Sequence, residues 1–98
     1  MSADAFAEVS RGANLFTAAQ ATNQRLQFEL AAMDRDRAAC NEKINDCLKR
    51  GDDLIPVLNE IRDLLLDRSR LLAEYSSNSS ECAALCRQSA TAVKKLAR

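Results

Sequence analysis

A chain of 98 residues has room for one small domain. Its 14 basic and 14 acidic residues cancel to a net charge of zero, which argues against a nucleic-acid binder, since such proteins carry an excess or one-sided patch of positive charge. With 47% hydrophobic but only 4% aromatic residues, two glycines and one proline, the composition suits helices packed through Ala, Leu, Val, Ile and Cys, and leaves a β-sandwich short of aromatic residues and turns.

The first arm runs from Ala3 to Arg50. Reading every seventh residue from Val9 gives Val9, Phe16, Asn23, Leu30, Arg37 and Ile44. Three positions on from each come Gly12, Ala19, Leu26, Met33, Cys40 and Cys47. These are the a and d positions of a heptad repeat, and they predict one helix over about 3–50. Asn23 and Arg37 put polar groups in the seam, where a buried polar layer sets register. Gly12 weakens the helix by about 1 kcal/mol relative to Ala, and marks either a frayed start or a close approach of another helix. Phe6, Leu15, Phe28 and Leu48 lie off the seam.

Arg50-Gly51-Asp52-Asp53-Leu54-Ile55-Pro56 combines stop and start signals. Lys49 and Arg50 suit the negative end of a helix dipole. Gly51 can take the left-handed conformation that closes a helix. Asp53 or Asp52 can cap the next helix, and Pro56 falls in a first turn where its missing N–H costs nothing. The turn is therefore placed at 51–53, and a second helix at about 54–97.

The second arm carries two apolar stripes. The expected inner seam is Leu58, Ile61, Leu65, Leu72 and Tyr75, continuing as Ser79, Cys82, Cys86, Ser89, Val93 and Leu96. Leu54, Val57, Leu64, Leu71 and Leu85 form a second stripe beside it. One antiparallel neighbour covers one stripe, so the second is expected to face a partner, either another copy or a different protein. On that division, Leu64→Asp would disrupt association and Leu65→Asp would damage the hairpin. The run Ser76 to Ser80 is the weak point, because Ser and Asn favour caps and turns. A continuous helix is the expected form. The alternative is a three-helix bundle with a break at Ser76–Ser80, Asn78 and Glu81 forming a capping box.

Folding back at Gly51 sets residues whose numbers total roughly 102 to 105 side by side, the register an antiparallel coiled coil requires. Asn23 then comes level with Ser79–Glu81, and Arg37 with Leu65–Arg68, where Asp67 could take its charge. The predicted fold class is all-α: an antiparallel helical hairpin with coiled-coil packing, completed by oligomerisation or a partner.

The sequence offers little chemistry. It lacks histidine, the usual general base and commonest metal ligand. Its two glycines are too far apart for a phosphate loop. Acidic residues are scattered on outward heptad positions, so no catalytic residue, cofactor or metal ligand is assigned. Cys40, Cys47, Cys82 and Cys86 all fall on seam positions, where a free cysteine acts as a small hydrophobe. A four-cysteine zinc site would need groups roughly 27 Å apart along one hairpin, at about 1.5 Å per residue. A redox- or zinc-linked dimer is the remaining use for them. No apolar run approaches the ~20 residues that span a bilayer. Met1–Phe16 lacks the pattern of a secretory signal, and a cytoplasmic, reducing location is expected.

The segment Leu71-Leu72-Ala73-Glu74-Tyr75, with Ser80-Glu81 and Val93-Lys94, is locally similar to the C-terminal helix of type III secretion needle subunits. Those are small helical hairpins that polymerise. The similarity covers under a third of the chain, and Asp67-Arg68-Ser69-Arg70 stands where that family has a proline turn. It transfers no functional residue. A long hairpin also resembles tubulin-binding cofactors in architecture alone. The functional expectation is a non-enzymatic coiled-coil interaction protein, an adaptor or structural subunit of a larger complex. The alternative is a small chaperone that shields a client helix.

Overall fold

The computed structural model describes residues 3–97. Helix α1 spans Ala3–Arg50 and helix α2 spans Ile55–Leu96, and the two pack against each other as a hairpin. All twelve a and d residues named for α1 are buried or half-buried, with Leu26 and Cys40 fully enclosed. The heptad phase of α1 is therefore the one its sequence declares. Gly12 belongs to that seam. A Cβ there would sit 3.0 Å from the Ser89 Oγ of α2, so the glycine marks a close approach of the two helices.

The turn is built from the residues that signal it. Gly51 has φ 72°, in the left-handed region, and Asp52 N–H donates to the Cys47 carbonyl at 2.9 Å. That bond, reaching from the second residue beyond the helix to its last turn, is the closing bond of a Schellman motif. Asp53 Oδ1 accepts from Ile55 N–H at 3.0 Å, which satisfies a donor at the open start of α2. Leu54 supplies the first helical carbonyl, to Leu58 N–H at 3.0 Å, and Pro56 sits in the first turn.

Helix α2 continues without a break through Ser76–Ser80, so no third helix forms. Ser76, Ser77 and Ser80 point to solvent, where serine costs a helix only a few tenths of a kcal/mol relative to average residues. Asn78 points inward. It is buried, and its amide donates to the Ala19 carbonyl at 3.0 Å. Asn23 Nδ2 donates to Ser79 Oγ at 3.0 Å. The polar residues of this stretch thus find partners on α1, which removes their reason to cap a new helix.

The seam of α2 differs from the expected one. Burial recurs at Leu54, Val57, Ile61, Leu64, Arg68, Leu71, Tyr75, Asn78, Cys82, Leu85, Ser89, Ala92 and Leu96. This is an unbroken heptad alternation of three and four. Leu58, Leu65, Leu72, Cys86 and Val93, expected inside, are exposed. Only Ile61, Tyr75, Ser79, Cys82, Ser89 and Leu96 of the expected inner line are buried or half-buried.

The chain divides into two compact portions, each with its own cross-helix contacts. In the one nearer the turn, Leu26–Glu74, Arg68 Nε donates to Asp34 Oδ1 at 2.7 Å and Lys43 Nζ to Glu60 Oε1 at 2.8 Å. In the other, up to Arg25 and from Tyr75 onward, the Asn23–Ser79 and Asn78–Ala19 bonds join the helices. In both, the aligned residue numbers total about 101 to 103 for Gly12 with Ser89, Asn23 with Ser79, Asp34 with Arg68 and Lys43 with Glu60.

Two expectations follow. Gly51→Ala should lower hairpin stability by about 1 kcal/mol in urea titration, from the left-handed backbone alone, since open space surrounds the new methyl. The hydrogen bond that the Lys43 ammonium donates to Glu60, and the Glu60 charge, hold the lysine above its ordinary value of 10.5. A raised lysine value means stabilisation that is complete at neutral pH and fades only as the pH climbs past 10.5. Wild type and Lys43→Gln should therefore differ slightly in melting temperature at pH 7 and converge in strong alkali.

Candidate functional site

The stripe that sequence reading turns toward a partner is the hairpin's own seam. Val57 and Leu71 are 8% and 5% exposed, and Leu54, Leu64 and Leu85 are half-buried. Leu58, Leu65 and Leu72, expected inside, lie on the outside instead. Between Leu54 and Leu72 both stripes are leucine-rich, so hydrophobicity does not choose between them there. The observed seam carries Arg68, paired with Asp34, and Asn78, whose amide donates to the Ala19 carbonyl. The line through Leu58, Leu65 and Leu72 shares Arg68 with the observed seam, so of the two polar residues Asn78 alone distinguishes them.

The surface left outside comprises Leu58 (52% exposed), Leu65 (52%), Leu66 (63%) and Leu72 (42%). Leu58, Leu65 and Leu72 recur every seven residues, immediately beside the seam, at the heptad e position. Leu66 lies next to Leu65, two positions around the helix. On α1, Leu48 occupies the same e position and is likewise exposed. Exposed leucines in line along one helix make a continuous apolar edge, unlike the scattered apolar residues any surface shows.

The two proposed register residues are placed differently from one another. Asn23 spans the hairpin to Ser79, within the range assigned to it. Arg37 is half-buried, yet it donates to Asn41 Oδ1 on its own helix at 2.9 Å, while Asp67 contacts Arg70 at 3.8 Å. The cross-helix ion pair at this level is Arg68 with Asp34. Its signal in the sequence is a charged residue at a seam position of α2, visible only once the phase is known. Asn78, likewise missed, looked like a helix cap because it stands among serines.

The cysteines are all free. Cys40 is fully buried and Cys47 and Cys82 are half-buried in the seam, but Cys86 lies outside it and is exposed. Beside Cys86 lies a shallow apolar groove of about 300 Å³, lined by Val9, Ala13, Phe16, Ser89 and Val93 as well. Among the described residues no three His, Cys, Asp or Glu side chains gather as metal ligands. No helix of the described residues is long and apolar enough to cross a membrane.

The placement of these stripes reverses the expected mutational pattern. Leu71→Asp should unfold the hairpin, because a carboxylate in a nearly closed seam is stranded, at a cost of about 3 kcal/mol or more. Leu65→Asp should keep helicity and melting temperature near those of the wild type while changing association. Circular dichroism on the two variants decides the assignment.

Comparison with protein-family models, with curated proteins and with solved structures finds no match to this chain.

Proposed function

We propose that this chain is a non-enzymatic association subunit, a helical hairpin that docks on a further protein helix through Leu58, Leu65, Leu66 and Leu72. The observation behind this reading is the exposure of these four side chains along one edge of α2. Burying a leucine side chain is worth about 1.5–3 kcal/mol, so the edge holds several kcal/mol that the hairpin alone does not realise. Such a patch on a small protein marks an interaction surface.

Two further features support the reading. The hairpin's own core is thin, with Leu26 and Cys40 its largest fully buried side chains, and small folds of this kind gain from completion by a partner. The seven-residue spacing of Leu58, Leu65 and Leu72 is the line along which a second α-helix packs knobs into holes. A helical partner therefore fits the edge better than an extended peptide.

A photo-crosslinking residue tests this in the cells that make the protein. Placed at position 65 it should capture a protein chain, whereas placed at 67, on the charged flank, it should not. Equal or absent crosslinking at both positions would falsify the reading.

A further inference from the structure

The heptad frame shared by the two helices exposes an asymmetry of charge. Seen along the hairpin, the e and b positions of both helices form one broad face, while the g and c positions form the opposite one. Contacts fix this geometry: Asp34 (e) meets Arg68 (a), whereas Lys43 (g) meets Glu60 (g). In the portion Leu26–Glu74 the e and b positions of α1 are Gln27, Ala31, Asp34, Ala38, Asn41, Asn45 and Leu48. Those of α2 are Ile55, Leu58, Arg62, Leu65, Ser69 and Leu72. Asp34 and Arg62 are the only charges among them, in a chain with 14 acidic and 14 basic residues. The g and c positions of the same portion hold Glu29, Asp36, Lys43, Asp46 and Arg50 on α1 alone. In the portion that holds the two ends, no e or b residue of the described chain is charged. A solvated face of a helical protein is charge-rich, and depletion of charge is the compositional mark of an interface centre.

Resting on the association reading above, we infer that the occupant of this face in Leu26–Glu74 is a second copy of the chain, packed antiparallel about a two-fold axis at the level of Leu65. The pattern is self-complementary in that arrangement and in no other simple one. Rotation about Leu65 brings Leu58 of each copy opposite Leu72 of the other, and Leu65 opposite itself. It carries Arg62 to the level of residue 68. Residue 68 is level with Asp34, its ion-pair partner across the hairpin. Arg62 of one copy and Asp34 of the other thus reach one height on neighbouring helices, each already paired within its own chain, Arg62 with Asp63 and Asp34 with Arg68, so neither is stranded in the interface. In a parallel dimer α2 of each copy would lie over α1 of the other, and Leu58, Leu65 and Leu72 would face the Asn45, Ala38 and Ala31 side of α1 instead of one another. The area suffices as well. Twenty residues of α2 extend about 30 Å, and two helices side by side are about 20 Å wide, so each copy offers about 600 Å². The sum of about 1,200 Å² reaches the lower bound of stable interfaces.

The test uses the full chain, purified in reducing buffer. Light scattering at tens of micromolar should give a dimer mass. With the four native cysteines replaced by alanine, Leu65→Cys should link to itself on mild oxidation, and Leu58→Cys should link only when mixed with Leu72→Cys. Should that background fail to fold, charge variants on the native background carry the test. Leu65→Asp, which sets two carboxylates face to face on the axis, should weaken the dimer roughly fivefold or more, and mixing it with Leu65→Lys should restore association as a mixed pair, by the energies usual for exposed pairs. A monomer at all concentrations overturns the second copy. If position 65 then still crosslinks a different protein in cells, the association reading survives without it, and if it crosslinks nothing, both fall. A dimer in which Leu58→Cys links to itself overturns the antiparallel packing.

Discussion

Two helices lying side by side can each hide one stripe from water, and α2 brings two. Everything else in the structure follows from which of them turns inward. The inward stripe carries Arg68 and Asn78, and the polar groups of α1 that meet them, the Asp34 carboxylate and the Ala19 carbonyl, exist at matching heights. Turned outward, the Asn78 amide would be hydrated, so its bond to the Ala19 carbonyl favours the observed phase only by the ~1 kcal/mol net of an ordinary hydrogen bond. With leucine on both stripes, the hydrophobic term nearly cancels between the two phases. The Asn78 bond is then one contribution of ordinary size on the side of the observed phase.

This explains what could be read from the sequence and what could not. In α1 one stripe is clearly more apolar than its neighbours, and its polar members, Asn23 and Arg37, are too few to blur the pattern. The phase of that helix, the turn at Gly51 and the register of Asn23 against Ser79 were therefore legible. In α2 the two lines share Arg68, and the one through Leu58, Leu65 and Leu72 avoids Asn78. The better-looking line was the outer one. The missing information lay in pairs: Asn78 makes sense as a seam residue only opposite the Ala19 carbonyl, and nothing in either helix alone says so. Arg37 failed for the same reason, since Asn41, one turn along its own helix, serves it without any crossing.

The arrangement also separates two tasks on one helix. Polar residues are placed where specificity within the chain is needed, in the seam. Outside it, the e and b positions are left almost without charge. A designer wishing to hold a hairpin in one phase while keeping a sticky edge would distribute residues in this way. The glycine at position 12, opposite the buried Ser89 hydroxyl, shows that the seam includes close backbone approach as well as packed leucine.

The Gly51 turn also bears on the order in which the hairpin can close. The Lys43–Glu60 pair encloses only a short stretch of chain, a separation of 17 residues, whereas Arg68–Asp34 spans 34, Asn23–Ser79 spans 56 and Asn78–Ala19 spans 59. The entropy lost in joining two points grows with the logarithm of the chain between them, so the contacts beside the turn are the least costly to make first. Each rung, once formed, shortens the loop left for the next. The buried amide of Asn78 is the most distant of these rungs. The leucines from Leu54 to Leu72 are thus brought against α1 at a lower entropic cost than Asn78.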